Sequence, residues 1–522
     1  MKYLLYYNLD DKFVTDQVAV GGDGTKVVSV VDGVAWTKDQ EKTYYRYSSN
    51  SGDVITYNVT IKYRSTLFET IANDDIITIS AYSGCDANVF VLPKNIEFYK
   101  AIDESGNTVS GVSINVSGNT TYTFRYLATD FSRSPLHFEI TSPGYIVWGI
   151  SSGSVASAKT ISYKKNADNW VSITAKSGDN AAKINVVTGD IVQFVGDNQY
   201  YGTWTFIGNS FCGTTAGFKV KGNIMSLLSS SGYNELEFVV SADTFSDLFN
   251  SCTGLTDASE LCLPVLNING VRGVYRKMFS NCTNLISAPV LPATVVDGWL
   301  CYGSMFSHCT SLRKAPDLPA MTLGAGCYET MFSGCTSLSA APELPATTLK
   351  SSCYYRMFYG CISLTVAPSL PATTLAEYCY GGMFGGCTSL TQAPELPATT
   401  LAEYCYAEMF YGCTSLTSAP SLPATTLAQD CYYNMFRGCT SLTQAPELPA
   451  TNVPSEAYCQ MFWGCSSLSF IKCLGIYRHG DATMSWVPDV AENGTFIKHP
   501  DASWPTGASG IPEGWTVQDA TD

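Results

Sequence analysis

Gly149-Ile150-Ser151-Ser152-Gly153 has the G-x-S-x-G spacing of a nucleophile elbow. That motif activates its serine only on a sharp strand-to-helix turn, with an acid and a histidine supplied downstream. Here the following Ser154-Val155-Ala156-Ser157-Ala158-Lys159 leads toward another strand, so the segment reads as a Ser/Gly turn. The four histidines, His137, His308, His479 and His499, are far apart and form no H-E-x-x-H or other metal pattern. They are expected at solvent-facing or incidental positions. Asp10-Asp11 and Asp74-Asp75 lack the spacing of a Ca²⁺ loop, and no P-loop or dinucleotide fingerprint occurs. The expectation is a chain with no catalytic residues, no cofactor and no metal.

The twenty cysteines carry a different message. Cys309, Cys335, Cys361, Cys387, Cys413, Cys439 and Cys465 are 26 residues apart, and Cys301, Cys327, Cys353, Cys379, Cys405 and Cys431 repeat the same interval. Thiols are small, apolar and weakly polar, so a fixed spacing predicts buried ladders. No C-x₂₋₄-C pair exists, which argues against zinc. Met-Phe pairs set the register, from Met278-Phe279 through Met305-Phe306, Met331-Phe332, Met357-Phe358, Met383-Phe384, Met409-Phe410 and Met435-Phe436 to Met461-Phe462. Leu248-Phe249 is a degenerate first copy. One copy cannot bury its own apolar residues, so copies must stack into a solenoid with one continuous core. Within a copy, Leu390-Thr391-Gln392-Ala393 is the expected strand, and Cys-Tyr-x-x-Met-Phe returns the chain as a helical turn. Tyr302, Tyr328, Tyr354, Tyr380, Tyr406 and Tyr432 follow the second cysteine series and are expected to form a packing ladder.

Other positions change while this frame stays constant. Arg313, Lys314, Tyr355, Arg356, Tyr359, Tyr378, Tyr404, Tyr411, Tyr433, Arg437 and Trp463 are the candidate partner-binding surface. Aromatic faces beside polar groups suit sugar rings and protein hot spots.

Composition agrees with a binding role. Charged residues are 14% of the chain and the formal net charge is −15, with no basic stripe, so nucleic acid and anionic membranes are not expected partners. No run of about 18 apolar residues occurs, so no membrane insertion is expected. Met1 to Asp11 lacks the apolar run of a secretory signal. The expected compartment is therefore a reducing cytoplasm, with free thiols.

The expected organisation is mainly β and multidomain. Residues 1–50 form an N-terminal anchoring module, 51–158 a β-sandwich (Ig-like) domain, and 159–245 a second β module. Residues 246–475 form a solenoid of about nine copies, and 476–522 a cap that shields its last strand edge. Val54–Ile61, Thr121–Tyr126, Ile161–Tyr163, Trp170–Ile173 and Ile191–Val195 have the alternation of strands.

Cys387-Thr388-Ser389-Leu390, Leu396-Pro397 and Met409-Phe410-Tyr411-Gly412-Cys413 resemble the BspA-like leucine-rich repeats of bacterial surface proteins and of phages of gut anaerobes. The copies here are longer, and an Ala-Pro interrupts the strand. Tyr6-Tyr7-Asn8, Gly21-Gly22-Asp23-Gly24 and Val30 to Trp36 resemble the short N-terminal module of structural proteins of tailed phages. This resemblance implies a virion fibre or appendage, anchored to other virion proteins by its N-terminus and adhering through its repeats to a host glycan or protein. A homo-oligomer is compatible with that role. A bacterial cell-surface adhesin is the alternative, and a glycan-processing enzyme with accessory repeats a weaker one. The missing export signal favours the virion, whose proteins leave by lysis.

Overall fold

A computed structural model places the chain in two units, Met1–Phe131 and Ser132–Asp522. It describes residues 134–522 except 151–156, 205, 206, 234, 235, 237, 238, 240, 266, 269, 479 and 522, and excluding the side chain of Asp179. Before residue 134 it describes only strand backbone. The Ser151 to Gly153 half of the elbow motif and His479 therefore lie outside the described residues.

In the first unit, Tyr57–Ser65 pairs antiparallel with Asp75–Ala81 and parallel with Thr120–Ala128. Tyr99–Ile102 and Thr108–Val109 complete that sheet. Tyr6–Asn8 lies between Lys12–Val14 and Leu92–Lys94, and Cys85–Val89 pairs with Val112–Val116.

The second unit begins with a six-stranded sheet in the order Val171–Thr174, Thr160–Lys165, Ile191–Gly196, Leu136–Ser142, Gly217–Asn223, Leu255–Cys262. Its alternation is legible in Ile191–Gly196, whose even-numbered residues are buried. The sheet takes strands from both sides of residues 158 and 245, and its sixth strand already belongs to the first repeat. The join is parallel, Gly217–Asn223 against Leu255–Cys262. Across it Phe138, Phe194, Phe211, Phe218 and Phe249 make one aromatic core.

From Phe211 the core becomes a column. Phe211 stacks on Phe249 at 5.6 Å and Phe249 on Phe279 at 5.4 Å. The column continues through Phe306, Phe332, Phe358, Phe384, Phe410 and Phe436 to Phe462, with near-parallel rings. The expected tyrosine ladder runs beside it from Tyr275 to Tyr458, each ring essentially buried. Each buried ring contributes roughly 2–3 kcal/mol through area alone.

The solenoid is β-like with almost no helix; the described 3₁₀ segments, such as Gly178–Asn180 and Ile224–Leu227, are short and precede the repeats. Most of its repeat-to-repeat hydrogen bonds lie outside the expected strand, which is a paired strand in the end copies, Leu255–Cys262 and Phe470–Cys473, and recurs between them as single parallel bridges. Leu390 to Ala393 contributes one bridge, Gln392 to Ser418. The physical reason is proline: Pro394 follows immediately and Pro397 soon after, and both lack N–H donors, so the strand cannot extend.

The Cys-Tyr-x-x-Met-Phe segment carries the ladder instead, as a staircase of turns and not a helical turn. Its amides alternate between two acceptors. Tyr355, Met357 and Tyr359 donate to carbonyls three residues back, at Ser352, Tyr354 and Arg356. Tyr354, Arg356, Phe358 and Gly360 donate to the next copy, at Cys379, Gly381, Met383 and Gly385. Each amide from Ser352 to Gly360 thereby finds an acceptor. The staircase requires a left-handed residue at every fourth step, here Ser352, Arg356 and Gly360 with φ of 56°, 50° and 72°. Among the described residues, all positive-φ non-glycine positions except Asn166 belong to such turns.

Beyond Cys473, Thr495–Lys498 and Thr516–Asp519 extend the strand Phe470–Cys473 in parallel. Trp486 covers Phe462 at 6.0 Å and Tyr458 at 6.3 Å, backed by Phe496 and Trp504.

Candidate functional site: the turn ridge

Each staircase turns some side chains into the core and others outward. Tyr, Met, Phe and both cysteines point in. The first cysteine series donates its thiol to the phenylalanine carbonyl of the preceding copy, as Cys361 Sγ does to Phe332 O at 3.1 Å and Cys413 Sγ to Phe384 O at 3.1 Å. Alanine or valine would leave that carbonyl without this donor. Burial pushes the Cys361 thiol up to about 12, so it stays protonated and donating. Cys252 makes the same bond to Phe211 O, which marks Phe211 as the rung preceding the repeats.

The outward positions form a ridge, and most of the sequence-predicted residues lie on it. They touch one another in columns. Tyr378 stacks on Tyr404 at 4.5 Å and meets Tyr355 edge-on at 5.8 Å. Arg437 lies over Trp463 at 4.2 Å, with Tyr411 on its other side at 5.9 Å. Its Nη1 donates to Gln460 Oε1, and Trp463 Nε1 donates to Asp489 Oδ2. Tyr433 lies half-buried in the same turn as Arg437. Burial, then a hydrogen bond to Asp430, raises the Tyr404 phenol above its ordinary value.

Tyr355, Arg356 and Tyr359 have a further task. The next copy carries Gly381, Gly382, Gly385 and Gly386, and the three side chains lie over that bare backbone. A Cβ on Gly385 would come within 2.8 Å of the Tyr359 ring, and one on Gly381 within 3.1 Å of the Tyr355 ring. The Arg356 guanidinium sits against both rings, at 5.1 and 5.2 Å. These residues are filling a gap in the solenoid as well as facing water.

Arg313 and Lys314 are exposed, but they follow Leu312 on the Ala-Pro segment and do not join the ridge. The histidines separate too. His137 is buried in the six-stranded sheet and not solvent-facing; desolvation lowers it to about 4, leaving it neutral with Nδ1 at 2.9 Å from Pro135 O. His308 is exposed beside Ser307.

Sequence reasoning missed a second cluster where the loop carrying Trp204, in residues 159–245, meets the first copy of the solenoid. Trp204 and Trp299 have ring centroids 4.7 Å apart, and both Arg272 and Arg276 lie over Trp204. Arg272 Nη2 donates to Asp243 Oδ2 at 2.8 Å, and Arg276 approaches Asp243 and Asp247 at 4.0 and 3.9 Å. The available signal was that Arg272 and Trp299 stand where later copies have Ala325 and Ser351.

No protein-family model, curated protein or solved structure matches the chain. Among the described residues no group of His, Cys, Asp and Glu could hold a metal ion, and no helix is long and apolar enough to cross a membrane.

Proposed function

We propose that the chain is a non-enzymatic surface protein of a tailed-phage virion, a fibre or appendage built on BspA-like leucine-rich repeats. In this reading residues 1–50 attach it to other virion proteins, and sandwich-like β modules space the repeats from the particle. The repeat ridge then adheres to a glycan or protein on the host. The supporting observation is the division of each copy into a constant buried ladder and a changing outward ridge. Ladder residues are repeated with little change, whereas the ridge column Tyr359, Gly385, Tyr411, Arg437, Trp463 changes at every step. Rigid aromatic and guanidinium groups held in contact columns lose little entropy on binding, which suits recognition.

Purified virions tested with antibody to the repeats decide the matter. The chain should be present on the particle, and Tyr411→Ala with Arg437→Ala and Trp463→Ala should assemble normally yet adsorb poorly to host cells. Removing residues 1–50 should abolish incorporation. Recovery of the chain only from the surface of uninfected bacteria would replace this reading with a cell-surface adhesin.

A further inference from the structure

The junction cluster is built in a way that a solenoid seam does not require. The loop carrying Trp204 is stitched to the first copy by its backbone. Tyr201 and Gly202 amides donate to the carbonyls of Thr244 and Asp243, at 2.8 and 3.1 Å. Arg276 Nη2 donates to the carbonyls of Thr203 and Trp204, at 3.1 and 2.9 Å. Asp243, itself 4% exposed, packs its Oδ1 against Gly273, where a Cβ would come within 2.3 Å. These contacts fix an indole and two guanidinium groups in one arrangement before any ligand arrives, which lowers the entropic cost of binding.

Two groups of this cluster then face outward. Trp299 is 47% exposed although it touches Trp204, so part of a large aromatic face is left to water. Arg272, at the same position one copy earlier, has a side chain 39% exposed and gives one hydrogen bond, to Asp243. A guanidinium carries five N–H donors in a rigid fork that matches a carboxylate. The Nε atoms of Arg272 and Arg276 are buried and out of a ligand's reach, so binding capacity rests on the terminal nitrogens of the partly exposed Arg272, whose Nη2 donates to Asp243. An open aromatic face suits the C–H face of a pyranose ring, and a neighbouring partly exposed guanidinium suits an acidic substituent on it. The chain's net charge of −15 disfavours polyanions in general, so recognition has to be local.

We propose that Trp299 and Arg272, held by Trp204, Arg276 and Asp243, form a binding site for an acidic pyranose, a hexuronic-acid unit of a saccharide. The pyranose stacks on the Trp299 indole and its carboxylate takes the outer N–H groups of Arg272. The site is separate from the Tyr411–Arg437–Trp463 column and does not depend on whether the chain belongs to a virion.

The test titrates the full chain with tetragalacturonic acid and with a neutral galactotetraose, reading tryptophan fluorescence and titration calorimetry. Tetragalacturonic acid should give saturable binding in about the millimolar range of an isolated sugar site. Trp299→Ala and Arg272→Ala should each weaken it at least about tenfold, as hot-spot removal does. Trp299→Leu keeps an apolar side chain but no ring face, and should fail equally with an unchanged melting temperature. Trp170→Ala, which removes an exposed indole belonging to neither surface, should bind as the unmodified chain does. The proposal is overturned by absence of saturable binding, by equal binding of the neutral saccharide, or by a Trp299→Leu chain that binds normally. Loss of host adsorption with this binding intact would strike only the ridge.

Discussion

The Arg356 guanidinium meets the Glu408 carboxylate at 2.7 Å although a complete repeat lies between them. The intervening copy places Gly382 under the crossing, and a Cβ there would stand 2.7 Å from Arg356 Cγ. Gly382 also has φ +62°. One residue without a side chain thus serves both the turn and the long ion pair. The relationship links three successive copies, a departure from the nearest-neighbour coupling that repeat proteins ordinarily show.

Gly382→Ala should cost more than losing the ion pair. The pair is partly exposed on both sides, so Arg356→Ala should lose no more than about 1 kcal/mol for the charge contact. Gly382→Ala adds left-handed strain of about 1–2 kcal/mol and pushes Arg356 off its path. Denaturant unfolding of the two variants compares them directly. If Gly382→Ala is the milder change, Arg356 does not cross over that backbone.

A cleaner measure of the staircase comes from Gly412. Its φ is +68°, but a Cβ would meet nothing closer than Gly386 Cα at 4.0 Å. Gly412→Ala therefore isolates the backbone cost and should destabilise by about 1–2 kcal/mol. A neutral or stabilising result would mean that position 412 is not held left-handed.

The ladder thiols should be inert in the folded chain and reactive once it unfolds. Burial holds Cys361 and Cys413 up at about 12, so almost no thiolate exists at pH 8. Iodoacetamide labelling followed by mass spectrometry should mark them only in denaturant. Cys361→Ala should destabilise by about 1–3 kcal/mol, from the small cavity and the lost donor to Phe332 O. Rapid native labelling of the 26-residue series would contradict its inward orientation.

How much of this was legible follows from where the information resides. Buried ladders repeat chemistry at one interval, so the Phe, Tyr and Cys columns could be placed from spacing alone. The staircase could not. Its last left-handed step advertises itself copy after copy, as Gly334, Gly360, Gly386, Gly412, Gly438 and Gly464, whereas the earlier steps do so in isolated copies, as at Gly326 and Gly382. The other two steps hold Ser352 and Arg356, Tyr404 and Glu408, or Glu456 and Gln460, none of which signals positive φ. That is why the strand was placed on Leu390 to Ala393. Tyr355, Arg356 and Tyr359 were found as outward residues, yet their packing role depended on glycines one copy later. The Trp204 cluster was missed because its parts lie far apart in sequence and meet only through the loop's backbone bonds to the first copy.

The same stacking that aligns rings also aligns charges, and near the C-terminal end the charges are alike. Asp430 and Asp481 both act on Glu456, with Gln429 donating to Asp430 and Ser455 to Asp481. Glu456 is raised above its ordinary value, first by burial and then by the two neighbouring carboxylates. A carboxyl whose folded value is raised favours its protonated form. Its contribution is fully present below the unfolded value near 4.5 and is lost as pH rises through the folded value. Glu456→Gln imitates the protonated state permanently. The variant should melt higher than the unmodified chain at pH 7, and the difference should shrink to nothing below about pH 4. Melting curves across pH 3.5 to 7.5 read this directly. A gain that persisted unchanged at the acid end would assign the effect to packing and not to the stacked carboxylates.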